Sequence, residues 1–127
     1  MTNQEYQALC SQYPELTIHG FGPSIDPSRK LTSEQVEAIR TEARQELLDA
    51  YLPFEYCCQW IDANPELPGN RTSYHWKHQV QLWAERQMLP SSYIGEGVFT
   101  LAAIYKGYKI HRIRKSTGAR IGKKVTP

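Results

Sequence analysis

A chain of 127 residues with 40% hydrophobic and 22% charged residues suits one folded domain that buries about two thirds of its unfolded surface, and three Trp and eight Tyr exclude a disordered composition. Its longest strongly apolar stretch, Val98 to Tyr105, is far short of the roughly 20 residues that a membrane helix needs. The net charge of +2 hides a division: residues 1–105 hold seven Lys/Arg and all thirteen acids (−6), whereas residues 106–127 hold eight Lys/Arg and no acid (+8).

In chain order, Thr2 and Glu5 form a capping box that opens a short helix, with Tyr6, Leu9, Cys10 and Tyr13 on one face and Pro14 beyond its end. The run 16–30 reads as a long loop, punctuated by Gly and Pro after a brief β-favouring stretch, with room for a short extended piece. Thr32 and Gln35 make a second capping box, and Val36, Ile39, Ala43, Leu47 and Ala50 recur at helical steps beside a charged face, which predicts a helix over 33–51. Pro53 suits the first turn of a third helix, whose apolar face is Phe54, Cys57, Cys58 and Ile61 and which breaks at 64–70.

A fourth helix is predicted from Thr72 or Ser73 to about Met88, with Trp76 and Trp83 as core anchors. A fifth runs from Gly95 to Gly107, apolar all round and therefore expected at the centre of the fold, with Gly107 as its left-handed terminator. Beyond it Tyr108 and Ile110 alternate with Lys109 and His111, as a short strand or extended arm would, and the final stretch is expected to be flexible. The expected fold is mainly α: a bundle of four to five helices in one domain over 1–107, followed by a basic C-terminal arm over 108–127, with one short extended segment allowed.

The charge division points the arm at an anionic partner, of which nucleic acid is the commonest. Lys106, Lys109, Arg112, Arg114, Lys115, Arg120, Lys123 and Lys124 are candidates for neutralising phosphates, and Tyr108 for stacking on a base. Secondary candidates are Arg71, Lys77 and His78. The contacts would be largely independent of sequence, and DNA and RNA remain open. The alternative is a small protein-binding modulator or inhibitor, such as a phage or mobile element encodes, working through the acidic body or the basic arm.

Enzyme patterns are weak. His75 and His78 lie three apart on a helix, and Cys57 and Cys58 could complete four ligands, but adjacent cysteines project to different sides of a helix, so packed thiols and surface histidines are expected instead of a metal. Gly95-Glu-Gly97 lacks the strand and third glycine of a dinucleotide fold. The fourth and fifth helices resemble a helix-turn-helix only loosely, since the second presents aliphatic side chains where a reading helix needs polar ones. No catalytic residue, cofactor or membrane is expected. An odd number of cysteines without a disulfide framework, and a start without a basic-then-apolar leader, predict a reducing cytoplasm.

Over 71–108 the chain resembles small, uncharacterised helical proteins of bacteria and mobile elements. Ser73-Tyr74, Lys77-His78, Tyr93-Ile94, Gly97, Phe99, Ala102-Ala103 and Gly107-Tyr108 carry the pattern, which departs at Trp76 and Gly95, where Leu and a capping residue such as Ser would stand. The resemblance implies that Ser73, Tyr74, Lys77 and His78 form a local structural or binding unit. A buried Lys-His contact with the hairpin turn is the structural alternative.

Overall fold

Both capping boxes close in the computed structural model, which describes residues 1–67, 71–114 and 116–125. The Thr2 hydroxyl accepts from the Glu5 N–H at 3.1 Å while the Glu5 carboxylate accepts from the Thr2 N–H at 3.0 Å, opening α1 (Asn3–Ser11). Thr32 and Gln35 do the same at 3.1 and 2.9 Å for α2 (Ser33–Leu48). These reciprocal bonds satisfy amide groups that a helix start otherwise leaves unpaired.

α2 ends earlier than its periodicity predicts, and α3 (Tyr51–Ala63) begins at once. Pro53 is the cause: in an uninterrupted helix its ring would clash with the Asp49 carbonyl, so the chain breaks at Asp49–Ala50 and restarts with Pro53 in the first turn. α4 (Ser73–Arg86) is capped by Thr72, whose hydroxyl accepts from the His75 N–H at 3.3 Å. α5 (Glu96–Tyr105) follows, and Gly107 takes the left-handed φ of 91° expected of its terminator.

Every residue of α5 from Gly97 to Ala103 is buried, so this helix is the centre of the core, as its all-round apolar character predicts. Trp60 of α3 meets Trp76 of α4 at 5.9 Å between ring centroids and Phe99 of α5 at 6.3 Å. Trp83, expected as the second anchor, is only partly buried; Trp76, Val80 and Ala84, at four-residue steps, form the inner stripe of α4. Arg44 of α2 ties the amino-terminal segments down, donating to the carbonyls of Cys10 and Leu16 at 2.8 Å and of Tyr13 at 3.0 Å.

The fold is mixed α/β, and this corrects the expected helical bundle. Five helices, 51% of the described residues, are joined among those residues by two small antiparallel sheets. In the run expected to be a loop, β1 (Leu16–Thr17) pairs with β2 (Gly20–Phe21). The larger sheet has the order β3-β5-β4, with β3 (Arg71–Thr72), β4 (Tyr108–Arg112) and β5 (Ala119–Lys124).

The expected flexible arm is thus a β-hairpin, and its second strand is the middle of the sheet. Ile121 pairs with Ile110 on one side and Arg71 on the other, and Arg120 with His111 and Thr72. Tyr108, Ala119 and Ile121 are buried, and the sheet packs against α5 and α4. Apolar burial at three positions, more than strand propensity, gives this charged segment its structure.

Candidate functional site

The three strands of the larger sheet carry Arg71, Lys109, His111, Arg112, Arg120, Lys123 and Lys124, and not one Asp or Glu. Alternation sends Ala119 and Ile121 inward with Arg120 outward between them, and a register shift opposite Tyr108 and Ile110 breaks the alternation towards Lys123 and Lys124. All seven basic residues are exposed, as is Arg114 in the turn between β4 and β5.

Three residues of the expected contact set are occupied elsewhere. Tyr108 is 4% exposed and its hydroxyl donates to the Pro65 carbonyl, so it does not offer a ring to a base; the constraint of pairing β4 onto the core turns it inward. Lys106 holds Asp62 at 2.9 Å. Partial burial pulls its pKa down, but the bond and charge of Asp62 outweigh this and leave the ammonium above its ordinary value. Arg112 pairs with Glu15 and lies 4.4 Å from the centroid of the Phe21 ring, fastening β4 to the β1–β2 hairpin. Lys115 lies outside the described residues. Among the described residues Arg71, Lys109, Arg114, Arg120, Lys123 and Lys124 have no carboxylate within 4.0 Å.

The turn of this hairpin reaches a second group of polar residues. Ser73, at the start of α4, is fully buried; its hydroxyl donates to the Glu96 carboxylate at 3.0 Å and accepts from the Ala119 N–H at 3.1 Å, so one side chain joins α4, α5 and β5. The Phe21 N–H donates to the Thr117 carbonyl at 2.7 Å, drawing the hairpin turn onto β2. Gly97 lets α5 approach equally closely: its N–H donates to the Ile18 carbonyl at 3.1 Å, and a Cβ there would lie 1.7 Å from the Thr17 carbonyl oxygen.

Between these elements is a pocket of about 110 Å³ lined by Ile18, His19, Ser24, Tyr74, Lys77, Tyr93, Glu96 and Thr117. The Lys77 ammonium stands 5.6 Å from the centroid of the Tyr74 ring and 5.3 Å from that of Tyr93. Both tyrosines are 58% exposed. Five positions of the resemblance, Ser73, Tyr74, Lys77, Tyr93 and Gly97, therefore meet at or beside this pocket. His78 stacks edge-on against Tyr74 at 4.5 Å, and neither Lys77 nor His78 is buried. Glu96, His19, Ser24 and Thr117 were not legible as partners of Lys77, because each comes from a separate segment of the chain.

Other candidates disperse. His75 packs edge-on against Trp76 at 4.5 Å, Cys57 is on the buried side of α3, and among the described residues no three His, Cys, Asp or Glu gather in a metal-holding group. Burial pushes the Cys58 thiol up to about 12 and raises those of Cys10 and Cys57, so none supplies a thiolate near neutrality. The buried α5 has no free face to enter a DNA groove. Among the described residues no helix is long and apolar enough to cross a membrane. Compared with known proteins, the chain matches no family model, no curated protein and no solved structure.

Proposed function

We propose that this chain is a non-enzymatic nucleic-acid-binding accessory or regulatory protein that holds the phosphate backbone on its β3-β5-β4 sheet. One observation carries the reading: seven basic residues and no acid on three adjacent strands, with Arg71, Lys109, Arg120, Lys123 and Lys124 unengaged by any carboxylate among the described residues. Cations fixed on paired strands keep a defined spacing, so binding them to phosphates costs less ordering than binding a flexible arm would. Contacts of this kind position a nucleic acid without reading its sequence.

A second reading, a modulator of another protein, draws support from a depression of about 490 Å³ lined by Glu46, Asp49, Ala50, Leu52, Pro53, Ser91, Ile18 and Tyr93. Two carboxylates beside the half-exposed Leu52 suit a partner side chain that is basic and long-stemmed. Fluorescence anisotropy with labelled DNA and RNA separates the two. In the first reading the triple variant Arg120→Gln, Lys123→Gln, Lys124→Gln loses at least about tenfold in affinity at low salt. No binding by the unaltered chain, or equal binding by the variant, rejects it.

A further inference from the structure

The pocket around Lys77 has features that backbone neutralisation does not require. Phosphate binding calls for cations, yet this pocket sets two half-exposed tyrosine rings around one ammonium and adds a carboxylate that would repel phosphate. It is also joined to the basic sheet: Thr117, in the β4–β5 turn, lines it, and Ser73 links Glu96 to the Ala119 amide of β5. A strand of nucleic acid lying along β5 would pass its mouth.

We infer that this pocket is a nucleotide subsite and that the partner is a single strand. The inference rests on the nucleic-acid reading of the sheet. One unpaired nucleotide docks at the mouth of the pocket: its base stacks on the exposed ring of Tyr93 or Tyr74 beside the Lys77 ammonium, while its phosphate stays with the cations of the sheet. Glu96, held by the Ser73 hydroxyl through one oxygen, has the other available for an exocyclic amino group of the base. In a duplex the base faces are covered by their neighbours and this arrangement gains nothing, whereas unpaired bases present both a face and an edge. A cationic surface beside exposed aromatic rings is how single strands are held without strong sequence preference.

The test uses the full chain, a fluorescein-labelled 12-nucleotide single strand of mixed sequence, and the same sequence closed into a hairpin duplex, at one low salt concentration. The variants are Tyr74→Ala with Tyr93→Ala, the same pair to Phe, Lys77→Gln, and the triple sheet variant Arg120→Gln, Lys123→Gln, Lys124→Gln. Because both tyrosines are half-exposed, the alanine pair is expected to stay folded, and its circular dichroism melt verifies that. The expected result is a loss of about tenfold or more in single-strand affinity for the alanine pair, with duplex affinity within about twofold. The Phe pair keeps single-strand affinity, since it keeps the rings. Equal loss on strand and duplex, or an unchanged single-strand affinity in the alanine pair while the sheet variant loses both, overturns the subsite and leaves the sheet interface standing. Absence of binding by the unaltered chain to either probe overturns the interface and the subsite together.

Discussion

The β4–β5 hairpin and helix α2 are both densely charged segments, but they handle charge in opposite ways. On α2, acids outnumber bases, but the two bases stand among them: Arg40 lies 3.7 Å from Glu37, and Arg44 is spent on three backbone carbonyls. On the hairpin and the β3 strand beside it, cations accumulate with no acid on any of the three strands, and among the described residues only Arg112 of these strands finds a carboxylate, that of Glu15. Charge that is interleaved with its opposite is a solvated face; charge of one sign collected on a rigid sheet sets up a field that reaches a partner. The hairpin is therefore both a core element and the proposed working surface, whereas α2 is a core element whose exterior mixes both signs.

Several substitutions break or sharpen that contrast. The largest effect is expected from cutting the chain after Gly107. The hairpin supplies the buried Tyr108, Ala119 and Ile121, so the shortened chain loses its cooperative thermal transition instead of surviving as an intact helical body; a melt followed at 222 nm reads this directly. A finer cut through the same strand follows: Ile121→Ala, at a position with no exposure, lowers unfolding stability by about 3 kcal/mol in denaturant titration, while Lys123→Ala two residues on changes it by less than about 0.5. If Ile121 proved as tolerant as Lys123, the hairpin would be an appendage after all.

Within α2 the two arginines should separate in the same way. Arg44→Met removes the charged donor shared by the carbonyls of Cys10, Tyr13 and Leu16 and costs about 2 kcal/mol, because hydrogen bonds from a charged group to partly buried acceptors are strong, even though the Cys10 and Tyr13 carbonyls keep the backbone N–H groups of Tyr13 and Leu16. Arg40→Gln removes one exposed contact with Glu37 and shifts stability by about 0.5 kcal/mol or less. The smallest effect expected is chemical. A thiol-specific reagent at pH 8 modifies the folded chain slowly, since burial holds the Cys58 thiol near 12 and raises Cys10 and Cys57, and neutral thiols are poor nucleophiles. Rapid labelling in the folded state would contradict the placement of these cysteines.

The contrast also marks what could be read from the sequence. Helix starts were legible, because a capping box is a local device: Thr2 with Glu5 and Thr32 with Gln35 announce α1 and α2 within four residues. The position of α5 was legible too, since a helix apolar on every face has nowhere to go but the centre. β5 was not. Its residues 119–124 hold a single branched aliphatic side chain among alanine, glycine and cations, and what makes them a strand is pairing with β4 and with Arg71–Thr72, nearly fifty residues earlier, and a buried place for Ala119 and Ile121. Composition announced the charge of this segment and concealed its order.

The candidate site divides along the same line. Cations were found by counting, but Tyr108, chosen for stacking, is committed to the core, and the exposed rings that can do that work are Tyr74 and Tyr93. Tyr74 and Lys77 are three residues apart on α4 and were marked as a unit by resemblance. Their meeting with His19, Glu96 and Thr117 is a consequence of tertiary structure, made possible by the close approach of Gly97 to the Thr17 carbonyl, and no local pattern encodes it.

The central claim is that the sheet's cations work as a set against phosphates. Affinity for a labelled single strand, measured by anisotropy across a salt series for the intact chain and for the triple variant Arg120→Gln, Lys123→Gln, Lys124→Gln, tests it most directly. The account predicts that log affinity falls linearly with log salt for the intact chain, with a slope of about −0.7 for each phosphate neutralised, and that the variant binds more weakly with a slope shallower by about 2. An identical slope in the two proteins, or no binding by the intact chain at low salt, would contradict it.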